Sequence, residues 1–234
     1  MTRDELLAAA RAWRWYHRLD LGDGFVTDGY ATGDLTLQSG SIPEDLTGMR
    51  VLDLGTYDGL FAFEAERRGA GEVVAVDRWD GGSMRGFLLA REILGSRVKA
   101  VQRDIYTLTA DELGTFDLVI CCGLLYHLPD PLLALRTIRP LCHKQLVLET
   151  HLDLLDVPRP AMAFYPGDEL AGDPSNWCGP NPACVEAMLR VAGWASVEQV
   201  AEKEAVYPLG ALAGNRFRRG VWVAGKSSRA EEGS

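Results

Sequence analysis

Asp53, Gly55 and Gly59 sit in the stretch Val51-Leu52-Asp53-Leu54-Gly55-Thr56-Tyr57-Asp58-Gly59, an acidic-x-Gly-x-x-x-Gly frame at the end of a short apolar run. A strand that ends in glycines and turns directly into a helix brings bare backbone and a helix N-terminus against a ligand. Asp77 closes a second apolar run, Val73-Val74-Ala75-Val76. A carboxylate ending the second strand of such a unit is placed to accept hydrogen bonds from ribose hydroxyls. These residues predict a nucleoside-containing cofactor. A nicotinamide enzyme favours Gly-x-Gly-x-x-Gly at the first turn, so dinucleotide binding is the weaker reading.

The elements that must position these residues follow from the patterning. Thr2-x-x-Glu5 is a capping-box pattern ahead of Leu6, Ala10, Trp13 and His17, which predicts an amphipathic helix over 2–19. Gly22, Gly24 and Gly29 make the stretch after it a loop. From Arg50 onward, β-branched runs alternate with helical patterns: strand 51–55, helix 59–68 with a Glu64–Arg68 pair, strand 72–77, helix 82–94, strand 98–103 and strand 116–122. Asp130-Pro131 opens a helix that should stop at Pro140, strand 144–150 follows, and Asn181-Pro182 opens a helix closed by Gly193. Strands near 195–202 and 219–225 complete the set. Alternating βα units predict an α/β, Rossmann-like doubly wound sheet of seven strands, mostly parallel with an antiparallel late strand.

Segment 152–180 breaks the rhythm, with prolines at 158, 160, 166, 174 and 180 and five acids against the single base Arg159. It follows the fifth strand and so falls over the carboxyl ends of the strands, which predicts an irregular lid over the substrate. The expected organisation is residues 1–49 as a helix and loop covering the site, 50–225 as the main domain with the lid at 152–180, and a polar, disordered tail at 226–234.

The chain has 234 residues, 47% of them hydrophobic, which suits one domain. The longest apolar patch, Leu118 to Tyr126, is broken by Gly123, and the N-terminus Thr2-Arg3-Asp4-Glu5 lacks the apolar core of a secretory signal, so no membrane partner is expected. Cysteines 121, 122, 142, 178 and 184 form neither a disulfide frame nor a metal frame, which predicts a reduced, cytoplasmic protein without a metal. A net charge of −9 opposes binding to a polyanion.

At the glycine turn the chain resembles the class I S-adenosylmethionine-dependent methyltransferases, and the likeness covers about residues 50–225. The resemblance implies S-adenosylmethionine as cofactor. It implies that Asp53, Gly55 and Gly59 surround its aminoacyl end, that Asp77 holds its ribose, and that Asp104, with Ile105 after it, meets its adenine. Cys122 and Gly123, ending the fourth strand, are implied as backbone contacts to the methionine portion. Trp79 either covers the adenine or simply packs. The turn departs from the family in Thr56-Tyr57-Asp58, bulkier than the small residues common there.

The stretch Phe116 to Pro131, with Leu124-Leu125-Tyr126-His127-Leu128-Pro129-Asp130-Pro131, is similar to the tRNA wobble-uridine carboxymethyltransferase group, as is Leu146-Val147-Leu148-Glu149-Thr150. That resemblance implies Tyr126 and Arg219 as holders of the carboxylate of a carboxylated donor. The lysine that the group adds in its N-terminal region has no counterpart in Gly22 to Gly29. An acidic lid and net negative charge also disfavour tRNA, because phosphate contacts dominate nucleic-acid affinity. Plain S-adenosylmethionine and a small-molecule acceptor, methylated on oxygen or nitrogen, are therefore the leading expectation, with tRNA modification the alternative.

Methyl transfer to a hydroxyl or protonated amine needs a base, for which histidine has the best-placed pKa. His127 and His151 follow the fourth and fifth strands, so both are expected at the cofactor edge, His127 first. His151 with Asp153 gives only two ligands of a metal site. His17 is expected to pack on the N-terminal helix and His143 to lie in a solvated turn. Glu149, Tyr165, Trp177 and Asn181 are candidates for lining the acceptor pocket.

Overall fold

A computed structural model describes residues 1–207 and 209–225; the tail expected at 226–234 lies outside the described residues. The helices are α1 (Arg3–Arg11), α2 (Asp34–Gln38), α3 (Leu60–Arg67), α4 (Met84–Leu94), α5 (Ala110–Leu113), α6 (Pro131–Leu141) and α7 (Pro182–Val191). The strands are β1 (Arg50–Leu54), β2 (Glu72–Asp77), β3 (Lys99–Gln102), β4 (Phe116–Cys122), β5 (Cys142–Leu152), β6 (Met162–Phe164), β7 (Cys178–Pro180), β8 (Ser196–Val206) and β9 (Arg216–Gly225).

Seven strands form one sheet in the order β3-β2-β1-β4-β5-β9-β8. β3, β2, β1, β4 and β5 pair in parallel, and β9 runs antiparallel to both β5 and β8. Successive residues of each central strand feed opposite faces, as the two-residue period requires. Val51, Val73, Leu118 and Val147 pack with α1, α3 and α4 on one side. Leu52, Val74, Val119 and Leu146 pack with α6 and α7 on the other. Strands covered on both faces are apolar throughout, which is why the runs were visible in the sequence. The order reverses beside β1, where β2 and β4 flank it, and the crevice at that switch point is where ligands bind in open α/β sheets.

Four expectations are corrected. The N-terminal helix ends at Arg11, not residue 19, because Trp15 Nε1 donates to the Ala10 carbonyl at 2.8 Å and Asp58 captures the next two amides. His17 therefore lies in a buried loop. Pro140 does not stop α6, which runs to Leu141, since a proline in the last turn forfeits only one backbone bond. The late strands are longer than their apolar cores, because β8 and β9 extend as a ladder of opposite charges, Glu202–Arg218 and Glu204–Arg216. Finally, the segment over 152–180 is not wholly irregular: Leu152 still belongs to β5, and β6 and β7 pair as a small antiparallel ribbon.

Candidate functional site

The glycine turn is built from beneath. Asp53 is 1% exposed and accepts a hydrogen bond from Thr56 Oγ1 at 2.6 Å, so it braces the turn from below. Burial raises its carboxyl to about 7. Gly55 has φ +70°, and a Cβ there would meet Leu124 Cβ at 3.0 Å. Gly59 has φ +97°, and a Cβ there would meet the Phe63 ring at 2.4 Å. Both positions require glycine, one for approach to the neighbouring loop and one for packing under α3.

The bulky triplet between the glycines also has a use. Thr56 holds Asp53, and Tyr57, at φ +47°, sits edge-on to Tyr16, ring centroids 5.4 Å apart. Asp58 is wholly buried, and its Oδ2 accepts from the Tyr16 and His17 amides at 2.8 and 3.1 Å. The turn is thus an anchor for residues 12–33, which pass over it.

Asp77 Oδ2 accepts from the Tyr57 amide at 2.9 Å and Oδ1 from the Trp79 amide at 3.1 Å. A carboxylate oxygen has more than one acceptor direction, so both retain capacity for hydroxyl donors. Asp104 accepts from the Tyr106 amide at 2.9 Å. Leu54, Gly55, Asp77, Asp104, Ile105, Leu124, His127 and Trp177 line one cleft of about 290 Å³ at the carboxyl ends of β1, β2 and β4. Trp79 is not in it: the indole is 3% exposed, packs on Phe87 and donates to the Tyr57 carbonyl at 2.8 Å. Asp53, Gly59 and Cys122 are likewise not among the lining residues; Cys122 Sγ accepts from Thr36 Oγ1 at 3.7 Å.

Beyond Gly123 lies a second group of side chains. Arg219 grips Glu149 with two nitrogens, Nε to Oε1 and Nη2 to Oε2, the latter at 2.7 Å. Its Nη1 donates to Tyr126 Oη at 3.2 Å, and its guanidinium lies 5.1 Å over the Tyr126 ring. Burial opposes the Arg219 charge, but the Glu149 carboxylate outweighs it and holds the pKa well above the ordinary value. A Cβ on Gly123 would stand 3.6 Å from Arg219 Nη2 and 4.0 Å from both Glu149 Oε2 and Tyr126 Oη, so the end of β4 opens onto this group. The Tyr16 hydroxyl is within electrostatic reach of Tyr126, Arg219 and Glu149, and burial raises its pKa. Because Glu149 already neutralises Arg219 with both oxygens, the expected capture of a donor carboxylate by Arg219 is not supported.

The two histidines differ. His127 is half-buried in the cleft wall with Nδ1 against Ser175 of the 152–180 segment, and burial lowers its pKa. His151, expected at the cofactor edge, is instead fully buried. Its Nε2 lies 3.1 Å from Tyr165 Oη and its Nδ1 3.3 Å from Tyr207 Oη. Burial and the Arg219 charge push its pKa down to about 3. With both nitrogens engaged it has no lone pair for a metal or an acceptor proton, which corrects its assignment as a base.

Two acceptor candidates are corrected as well. Tyr165 is 4% exposed and donates to Asp153 Oδ2 at 2.6 Å, tying the 152–180 segment to the end of β5. Asn181 is 1% exposed; it caps α7 through the Cys184 amide at 2.9 Å and holds the Val157 and Arg159 carbonyls. Trp177 reaches the cleft, and its amide donates to the Tyr126 carbonyl at 2.8 Å. Sequence reasoning missed Tyr16, Asp58 and Tyr207. The non-glycine triplet was the signal for the first two; Tyr207 had none, since only the β8–β9 pairing brings it to His151.

Fold and site together define a class I S-adenosylmethionine-dependent methyltransferase, and the glycine bend, the carboxylates of Asp77 and Asp104 and the apolar walls of the cleft fit an adenosyl group. The sequence family described as "Methyltransferase domain" matches residues 31–187, and the chain belongs to it. A ubiquinone biosynthesis O-methyltransferase of Xanthomonas oryzae pv. oryzae is 33% identical over 133 residues, 55% of this chain and 51% of the relative. The chain spans about half the length of that relative. Among solved structures, the N-terminal domain of EvdMO1 with SAH bound has a TM-score of 0.72 at 22% identity, covering 97% of this chain and 98% of that one. The 1,6-didemethyltoxoflavin-N1-methyltransferase of Burkholderia thailandensis, with bound 1,6-didemethyltoxoflavin and S-adenosylhomocysteine, has a TM-score of 0.53 at 19% identity, covering 78% and 72%. At these identities both speak for the fold. Among the described residues, no helix is long and apolar enough to cross a membrane.

Proposed function

We propose that the protein transfers a methyl group to an oxygen or nitrogen of a small-molecule acceptor, in the cytoplasm and in natural-product biosynthesis. The observation that carries this reading is the double cover of the site. Residues 12–33 dock on the glycine turn through Asp58, and the 152–180 segment docks on Tyr126 through Trp177. A site closed from two sides suits a small acceptor better than a polynucleotide. S-adenosylmethionine, when bound, supplies an electrophilic methyl on a sulfonium. Asp77 would hold its ribose, Asp104 and Ile105 its adenine, and Gly55 and Gly123 would let it lie against backbone.

The remaining work falls to the acceptor side. Tyr16, Tyr126 and the Glu149–Arg219 pair gather phenols and an ion pair of no net charge beyond Gly123, surroundings that suit a neutral hydroxyl- or amine-bearing molecule. That chemistry agrees with the named relatives, one an O-methyltransferase and one an N1-methyltransferase. His127 takes the acceptor proton. Alignment of acceptor and donor by such surroundings can lower a barrier by about 7–11 kcal/mol.

Calorimetry with S-adenosylmethionine tests the donor side. Asp77→Ala removes acceptors worth about 1.5–3 kcal/mol each, so affinity should fall on the order of 100-fold. Unchanged affinity would remove Asp77 from the site. Methyl uptake by neutral phenols, amines and sugars, compared with tRNA at low salt, tests the acceptor class; uptake by tRNA alone would reverse it.

A further inference from the structure

The lid carries a hydroxyl and a carboxylate with no part in the reading above. Ser175 Oγ donates to Asp173 Oδ1 at 2.7 Å, and the Ser175 amide donates to the same oxygen at 2.9 Å. A serine hydroxyl has a single proton, so with that proton on Asp173 its oxygen can only accept. His127 Nδ1 lies 3.0 Å from this oxygen and 3.2 Å from the Ser175 carbonyl, a second acceptor. Two acceptors at one ring nitrogen require that nitrogen to carry the hydrogen. A neutral imidazole has one N–H, so Nε2 keeps its lone pair. Among the described residues Nε2 has no hydrogen-bond partner, and the ring lines the cleft.

We infer that Asp173 and Ser175 are positioning residues, which act through His127 by fixing its Nδ1–H tautomer and so hold the Nε2 lone pair ready as proton acceptor. The catalytic meaning rests on His127 being the base; the tautomer itself does not. Asp173 is the anchor of the set, since it removes the only alternative in which Ser175 donates to the ring. The lid then does more than cover the acceptor: docking it sets the protonation pattern of the ring beneath.

The test is nitrogen NMR of the full chain with labelled histidine at neutral pH. His127 should show a protonated Nδ1 and an unprotonated Nε2. Ser175→Ala, which leaves Nδ1 only the longer bond to the backbone carbonyl of residue 175, should raise the share of the Nε2–H tautomer, and Ser175→Thr, which keeps the hydroxyl, should restore the wild-type pattern. A wild-type ring protonated at Nε2, or a tautomer indifferent to Ser175→Ala, overturns the proposal. In kinetics, Ser175→Ala should lower kcat roughly tenfold with the S-adenosylmethionine affinity unchanged and Thr again rescuing, because a positioned base contributes about 10²–10⁴-fold. If the tautomer behaves as stated but His127→Asn transfers methyl at the wild-type rate, the assignment of the base falls and the lid-imposed tautomer stands.

Discussion

Replacing Asp58 by alanine should release residues 12–33 from the glycine turn while leaving the sheet intact. The carboxylate is wholly buried, and Oδ2 accepts two backbone amides, from Tyr16 at 2.8 Å and His17 at 3.1 Å. Hydrogen bonds to a charged acceptor contribute about 1.5–3 kcal/mol each, and alanine would leave two amides without a partner. Part of that is offset, because the wild-type carboxylate is itself held in an unfavourable place. Oδ1 has no hydrogen-bond partner, and burial raises the carboxyl above its usual range. A net loss of about 3 kcal/mol remains, which for a chain of this size lowers Tm by roughly 6–12 °C if this segment and the body unfold together. If the segment opens first, the loss shows instead as faster amide exchange over 12–33 with little change elsewhere. Hydrogen exchange with thermal denaturation distinguishes the two. Unchanged Tm together with unchanged protection of the Tyr16 and His17 amides would refute Asp58 as the anchor.

Three further outcomes follow from the same contacts. Gly86→Ala, inside α4, would ordinarily gain about 1 kcal/mol of helix stability. Here a Cβ would stand 2.4 Å from Asp58 Oδ1 and 2.6 Å from Trp13 Nε1, so the melting temperature should fall instead. Glu149→Gln leaves the Arg219 charge without its carboxylate; with Arg219 25% exposed the loss should be about 2 kcal/mol, below the range for a fully buried pair, and denaturant midpoints would read it. In pH, burial raises Asp53 to about 7, so the folded state holds a proton that the unfolded chain releases near 4, and this group's contribution falls as pH rises between them. His17, at about 4, and His151, at about 3, act in the opposite sense: their contributions are full above about 6.5 and are lost as pH falls. Asp53→Asn should therefore gain on the wild type from pH 4 to 7, by up to about 4 kcal/mol; equal stability profiles would place the Asp53 pKa near its ordinary value.

What the sequence determined by itself was local. A parallel strand buried on both faces must be apolar along its length, so β1, β2, β4 and β5 were legible as runs, and the acids and glycines at their ends were legible as breaks in those runs. The cleft is assembled from such strand ends, brought side by side in the order β3, β2, β1, β4. The cluster beyond Gly123 and the anchor of residues 12–33 are different. Glu149 meets Arg219, His151 meets Tyr207 and Asp58 meets Tyr16 across 70, 56 and 42 residues, and none of these partners leaves a periodic trace. His127 and His151 stand in similar places after neighbouring strands, yet one lines the cleft and the other is sealed between two phenols. Only tertiary structure separates them, because a histidine's protonation depends on which nitrogen is met, by what, and how much water is left.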